Sequence, residues 1–166
     1  MSTNAQQHDT VLVVDFGAQY AQVIARRVRE AHVYSEIVGH DITAEEVAAR
    51  KPKGLILSGG PKSVHVEGAP TIDPGILELG VPTLGICYGH QVIAQALGGT
   101  VARTANPEFG RTDFRGDPSS TLLADQPEAQ TVWMSHRDAV SEVPEGFTAI
   151  GTTTGGQVAA MEAPEK

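Results

Sequence analysis

The sequence predicts an α/β fold, an open and mostly parallel sheet with helices on both faces, followed by an antiparallel extension. Three observations carry this. Short apolar runs alternate with helical patterns as far as residue 97. From residue 100 the pattern changes to β-rich stretches separated by turn signals. The chain has 166 residues, 40% of them hydrophobic, which is enough to build the core of one domain.

Residues 1–10 are polar and read as a flexible tail, which leaves 11–166 as the domain. The run at 11–14 is apolar and mostly β-branched, a buried strand ending at Asp15-Phe16-Gly17. Residues 19–31 place Val23, Ile24, Val28 and Ala31 at helical spacing among arginines, an amphipathic helix. Residues 34–38 form a second strand. Thr43 followed three residues later by Glu46 is a capping-box signal for a short second helix. A third strand at 54–57 runs into Ser58-Gly59-Gly60-Pro61. Residues 73–79 read as a short helix with Pro74 at its first position. A fourth strand at 81–86 delivers Cys87, and a helix at 88–97 is closed by Gly98-Gly99. Beyond it lie five β-rich stretches at 100–104, 109–114, 131–134, 147–152 and 158–162, read as antiparallel additions to the same sheet.

Composition narrows the function. Twelve basic residues against 20 acidic ones give a net charge of −8, the wrong sign for tracking a phosphate backbone, so no nucleic acid is expected as a partner. No apolar run approaches the ~18 residues a membrane helix needs, and the first residues do not resemble a secretion signal. No membrane partner and a cytoplasmic location are the resulting expectations. A single cysteine permits no internal disulfide and no Cys-rich metal centre, and no metal site is expected in this domain.

The sharpest motif is Gly85-Ile86-Cys87-Tyr88-Gly89 at a strand-to-helix junction. This is the nucleophile-elbow pattern with cysteine in the serine position. The tight turn leaves no room for side chains two residues either side of Cys87, hence the glycines. The helix that follows aims its N-terminal N–H groups at the site, where they favour a thiolate and can hold an oxyanion. Ser58-Gly59-Gly60-Pro61 also lies at a strand's C-terminal end, where open α/β sheets bind ligands. It is either a second source of oxyanion N–H groups or an ordinary turn. A phosphate loop is disfavoured because no Gly-Lys-Ser/Thr follows. Trp133 leads into Ser135-His136-Arg137-Asp138, read either as an interface or binding loop or as a plain loop after a strand.

Several segments together resemble the class I glutamine amidotransferase domain of GMP synthetases. They are Val-Val-Asp-Phe-Gly-Ala-Gln-Tyr (13–20), Ile-Ala-Arg-Arg-Val-Arg-Glu (24–30), Leu-Ser-Gly-Gly-Pro-Lys-Ser-Val (57–64), Gly-Ile-Cys-Tyr-Gly-His-Gln (85–91), Phe-Gly-Arg (109–111) and Trp-Met-Ser-His-Arg-Asp (133–138). The resemblance implies a flavodoxin-like sheet and a role for each matching position. Cys87 is the nucleophile that attacks the side-chain amide of glutamine. The backbone N–H groups of Gly60 and Tyr88 form the oxyanion hole. Gln91, Ser135, His136, Arg137 and Asp138 hold the substrate. The resemblance also implies an ATP-pyrophosphatase domain as partner, which uses ATP and Mg2+ to convert XMP to GMP with the released ammonia, and a homodimer for the full-length protein.

The family's Phe/Trp-His-Pro-Glu stretch, which supplies the general base and its orienting carboxylate, does not occur in these 166 residues. The chain therefore reads as an amidotransferase domain truncated on its C-terminal side, nearly inactive alone. None of its six histidines reads as a substitute base. Two other functions stay open: a glutamine- or partner-binding module without catalysis, and another cysteine hydrolase on the same fold.

Overall fold

A computed structural model describes residues 8–60 and 63–166. Most of the expected tail, together with Pro61 and Lys62 of the glycine loop, lies outside the described residues. Thr10, assigned to the tail from sequence, already belongs to the first strand. The chain divides into two compact units, one holding residues up to position 62 with Val66–His90, the other Ser63–His65 with Gln91–Lys166.

The first unit contains β1 (Thr10–Asp15), α1 (Ala21–Glu30), β2 (Tyr34–Gly39), α2 (Ala44–Arg50), β3 (Gly54–Leu57), a 3₁₀ helix (Pro74–Glu78) and β4 (Thr83–Gly85). Its four strands are all parallel, in the order β2-β1-β3-β4. The winding reverses between β1 and β3, the place where doubly wound sheets open a crevice. Alternate side chains of a strand face opposite ways, and Leu12, Val13 and Val14 are all 0% exposed. Both faces of β1 are therefore covered, as its apolar run leads one to expect. Val13 packs against Ala21 and Ala25 of α1, flanked by Ile24, Ile37 and Ile56. The Ser35 hydroxyl donates to the Ala25 carbonyl at 2.7 Å and ties the helix to β2.

Local signals at the helix ends act as the sequence suggests. Thr43 and Glu46 form the reciprocal capping box. Asp73 accepts the Gly75 N–H at 3.0 Å through one oxygen and the Ala44 N–H at 2.8 Å through the other. One carboxylate thus starts two helices, and these bonds hold its pKa below the usual range. Two expectations are corrected. Val23 is 47% exposed, because the inward stripe of α1 runs through Ala21, Ile24 and Ala25 and Val23 falls to one side. The helix at 73–79 is a five-residue 3₁₀ turn, too short to close an α-helical ladder.

Helix α3 (Tyr88–Ala96) begins in the first unit and continues into the second. It ends in a Schellman motif: the Gly98 N–H donates to Gln95 and the Gly99 N–H to Ala94, with Gly98 at φ +88°.

The second unit is antiparallel: β5 (Thr100–Gly116), β6 (Ala129–Glu142), β7 (Thr148–Thr153) and β8 (Val158–Glu162). Its strands close on themselves in the order β5-β6-β8-β7 as a small barrel. The parallel part and the antiparallel part are both as expected; the one correction is that the antiparallel strands form their own sheet and are not additions to the parallel one. Glycine makes the closure possible. The Phe114 ring lies over Gly151 where β5 meets β7, in space that a Cβ would occupy. The stretches at 100–104 and 109–114 are one strand interrupted by a register shift between Arg103 and Glu108. Pro107, which has no N–H to donate, sits inside that interruption.

Candidate active site

Cys87 follows the last residue of β4 by two positions and directly precedes α3. Its backbone has φ +55°, a left-handed conformation that costs a non-glycine residue ~1–2 kcal/mol. Three backbone bonds hold it there. Ile86 N–H donates to the Leu57 carbonyl at 2.9 Å, and Gly89 N–H is shared between the carbonyls of Ser58 and Ile86, each at 3.0 Å. The flanking glycines are required by space. A Cβ on Gly85 would stand 2.6 Å from the Gly89 carbonyl oxygen, and one on Gly89 would run into the Leu57 backbone. The elbow expected from the Gly-x-Cys-x-Gly spacing is thus present.

The loop after β3 lies against this turn. A Cβ on Gly59 would contact Cys87 Cβ at 3.7 Å, and one on Gly60 would press on the Tyr88 ring at 3.0 Å and on Phe16 at 3.3 Å. Tyr88 is 2% exposed. Its ring meets Phe16 at 5.3 Å between centroids, and its hydroxyl donates to the Pro70 carbonyl at 2.7 Å. Burial pushes its phenol pKa up, which keeps that donor protonated. The first unit therefore brings together Cys87, Tyr88 and Gly60, three of the residues singled out in the sequence.

Sequence reasoning missed the residue that joins these parts. Ser58 is 0% exposed. Its N–H donates to Val14, its carbonyl accepts from Gly89, and its hydroxyl accepts the Phe16 N–H at 3.2 Å while donating to the Gly59 carbonyl. The signal that could have found it was a polar residue continuing a wholly apolar strand, immediately before two glycines.

One electrostatic expectation is corrected. Cys87 is exposed as a residue, so reagents can reach it. Burial around its sulfur nevertheless pushes the thiol pKa up, and the opposing hydrogen bond from the Tyr88 N–H is the smaller influence. The Tyr88 N–H at the helix start favours the thiolate as expected, but desolvation penalises the charged form more than that one N–H rewards it.

The other predicted residues lie in the second unit. Gln91 is buried, and its amide donates to the Asp138 carbonyl at 2.7 Å. Ser135 to Asp138, read from sequence as a loop, lie within β6. Strand alternation splits them: Ser135 and Arg137 are exposed, whereas Asp138 is buried and His136 half-buried. Their four side chains therefore cannot converge on one ligand from one side. His136 Nε2 stands 3.2 Å from a carboxylate oxygen of Glu108, its register partner on β5. Arg137 lies over the Phe109 ring at 5.9 Å. Glu108 is a second residue that sequence reasoning overlooked. A cavity of about 510 Å³ in this unit, lined by Phe114, Gln130 and Thr153 among others, contains none of the predicted site residues. Among the described residues no three His, Cys, Asp or Glu side chains gather as metal ligands.

Comparison with known proteins identifies the family and the fold. The family model for glutamine amidotransferase class-I matches residues 12–166. GMP synthase [glutamine-hydrolyzing] of Thermobifida fusca is 63% identical over 154 residues, 93% of this chain and 29% of that protein. The enzyme of the same name from Corynebacterium diphtheriae is 59% identical over 162 residues, 98% of this chain and 31% of the relative. The chain thus spans about three-tenths of the length of these curated relatives. Among solved structures, a Thermoplasma acidophilum protein named for a GMP synthase subunit superposes with a TM-score of 0.85 at 30% identity, covering 96% of this chain and 80% of that one. A glutamine amidotransferase from Thermotoga maritima shares the fold, with a TM-score of 0.74 at 21% identity over 93% of this chain and 71% of that one.

Proposed function

The chain belongs to the class-I glutamine amidotransferase family and matches the amidotransferase domain of GMP synthases, and from that membership we propose that it is a cysteine-dependent glutamine-hydrolysing module. The observation that carries the reading is Cys87 at φ +55° between two glycines that admit no Cβ, with Gly59 against it and the Tyr88 N–H on its sulfur. A turn this constrained presents one side chain at the carboxyl end of a parallel sheet.

In this reading the Cys87 thiol gives its proton to a base and the sulfur attacks the amide carbon of glutamine. The carbonyl oxygen becomes an oxyanion, held by the backbone N–H groups of Gly60 and Tyr88. As the carbonyl reforms, the carbon–nitrogen bond breaks, the nitrogen takes a proton and ammonia leaves, giving a glutamyl thioester. Water then cleaves the carbon–sulfur bond to release glutamate and the thiol. The raised thiol pKa makes a base necessary, and the family's His-Pro-Glu stretch that would supply it is not among these residues. Glutamine turnover by this chain alone is accordingly slow. Gln91, Ser135, His136, Arg137 and Asp138 are the candidates of this reading for holding glutamine; alternation along β6 divides the last four, so one ligand would meet either Ser135 with Arg137 or His136 with Asp138.

The remainder of the relatives' length would use ATP and Mg2+ to join the ammonia to XMP and form GMP. A cytoplasmic enzyme and a homodimeric full-length assembly complete the reading. No helix among the described residues is long and apolar enough to cross a membrane.

The test is a glutamine analogue with an electrophilic carbon in the amide position, followed by mass spectrometry. Stoichiometric modification of Cys87, slowed by free glutamine and abolished in Cys87→Ser, supports the reading. Labelling that ignores glutamine overturns it. A second reading, a glutamine-binding module without chemistry, is favoured by the raised thiol pKa. Calorimetry that shows glutamine binding with no ammonia release would select it.

A further inference from the structure

Three loops of the first unit meet beside Cys87, at the carboxyl ends of β1, β3 and β4, and the proposed chemistry uses only two of them. The third is the turn between β1 and α1, residues 16–20. It is fastened in place. The Asp15 carboxylate accepts the Gly17 N–H at 2.7 Å, and the Phe16 N–H donates to the buried Ser58 hydroxyl at 3.2 Å. Gly17 has φ +94°, which glycine adopts freely. Ala18 follows, half-buried.

Gly59 shows how near Ala18 comes to the nucleophile. A carbon placed where its Cβ would be lies 3.7 Å from Cys87 Cβ and 3.9 Å from Ala18 Cβ. Both are ordinary carbon–carbon contact distances. Beyond Gly59 and its chain neighbours, no other described atom comes within 4 Å of that point. The Gly59 main chain is thus the floor of a slot one carbon wide, with Ala18 on one wall and Cys87 on the other. Packing does not demand glycine here. Gly59 has no left-handed φ, and its missing Cβ would clash with nothing, unlike those of Gly85 and Gly89. A glycine that neither the backbone nor its neighbours require marks a place where a ligand approaches the main chain.

We propose that the slot between Ala18 and Cys87 seats a methylene of an unbranched amide side chain, and that Ala18 sets its width and so selects unbranched substrates against branched ones. The proposal rests on the glutamine-hydrolysing reading above and adds to it the residue that determines specificity beside the thiol. A methylene touches both walls at once. A branched carbon brings one methyl more, and an extra carbon in a close-packed space pushes atoms inside their contact distances.

The test reads how fast Cys87 is alkylated by two chloromethyl ketones built on the glutamine carbon chain. In each reaction the sulfur–carbon bond forms, chloride leaves and the thiol proton goes to solvent. One reagent is unbranched, and the other carries a methyl on the carbon next to the ketone. Each rate is divided by that of the urea-unfolded chain, which removes their intrinsic difference. The native chain should prefer the unbranched reagent at least ~tenfold, the discrimination one carbon gives in a close-fitting pocket. Ala18→Gly should cut that preference at least ~threefold by widening the slot, whereas Ala18→Ser, nearly the same size, should keep it. Gly59→Ala fills the slot with a methyl at ordinary contact distances, so its urea midpoint should stay near the parent's. Its labelling by the unbranched ketone should fall at least ~tenfold, and labelling by iodoacetamide, which has no chain to seat, less than ~threefold. A native preference near one, a preference that Ala18→Gly leaves untouched, or an equal loss of both reagents in Gly59→Ala overturns the proposal. Protection by free glutamine is measured in the same reactions. Protection without a preference rejects the slot and leaves the function standing, and a preference without protection does the reverse.

Discussion

The Ser58 carbonyl accepts the Gly89 N–H at 3.0 Å, so the elbow that carries Cys87 hangs from the residue that follows β3. The same serine receives the Phe16 N–H on its hydroxyl. One buried residue therefore sets the positions of the loop after β1, the glycine loop and the first turn of α3.

Ser58→Ala should expose this dependence. The substitution leaves the buried Phe16 N–H without its acceptor, which costs about 1–3 kcal/mol. Urea unfolding should show a midpoint shift of that size with an unchanged slope. A shift within ~0.5 kcal/mol would mean that a water or a backbone adjustment replaces the hydroxyl.

Gly89→Ala should be worse than an ordinary glycine substitution. The new methyl meets the Leu57 backbone, with its carbonyl carbon at 2.7 Å, and backbone cannot step aside. A loss of about 2 kcal/mol or more is expected, together with loss of Cys87 labelling by the glutamine analogue. Gly68→Ala is the control, because its Cβ would meet nothing within 4 Å and only the φ of +72° is strained. Equal costs at the two positions would contradict the steric account.

The pH dependence of Cys87 follows from its surroundings. Burial holds the folded thiol pKa above its ordinary value. Below the ordinary thiol range both folded and unfolded thiols are protonated, and pH changes nothing through this group. As pH rises past the ordinary value the unfolded thiol ionises first, the folded state binds more protons, and stability falls until pH passes the folded pKa. Iodoacetamide labelling of the native chain should rise with a midpoint above that of the urea-unfolded chain. A lower native midpoint would show that the Tyr88 N–H outweighs desolvation.

Gln91→Leu tests the link to β6. The buried amide donates to the Asp138 carbonyl at 2.7 Å. Leucine keeps the volume and removes the donor, which takes one buried hydrogen bond from that carbonyl at a cost of about 0.5–1.5 kcal/mol. Hydrogen exchange along Val132–Val140 should accelerate relative to β7. Unchanged exchange would mean the strand does not depend on this bond.

Much of the first unit was legible because its signals are local. Thr43 and Glu46 announce a capping box three residues apart, Gly98 and Gly99 announce a helix end, and the 54–57 run matches β3 residue for residue. Gly85 and Gly89 were readable as steric necessities around Cys87 because the elbow's geometry is set within five residues. The β6 segment was misread because Ser-His-Arg-Asp looks like a loop when polarity is counted. Paired against β5 it is a strand with alternate residues turned outward.

The order of residues alone was enough for the parallel α/β half, the position of the nucleophile and the glycines that make its turn possible. These depend on periodicity and on clashes between near neighbours, which a linear pattern contains. The folded chain was needed to show that the antiparallel strands close into their own barrel, that Ser58 joins three segments and that burial raises the Cys87 thiol. Those outcomes come from contacts between residues tens of positions apart, such as Phe16 with Ser58 and Phe114 with Gly151, and from how much water the packed chain removes around one sulfur atom.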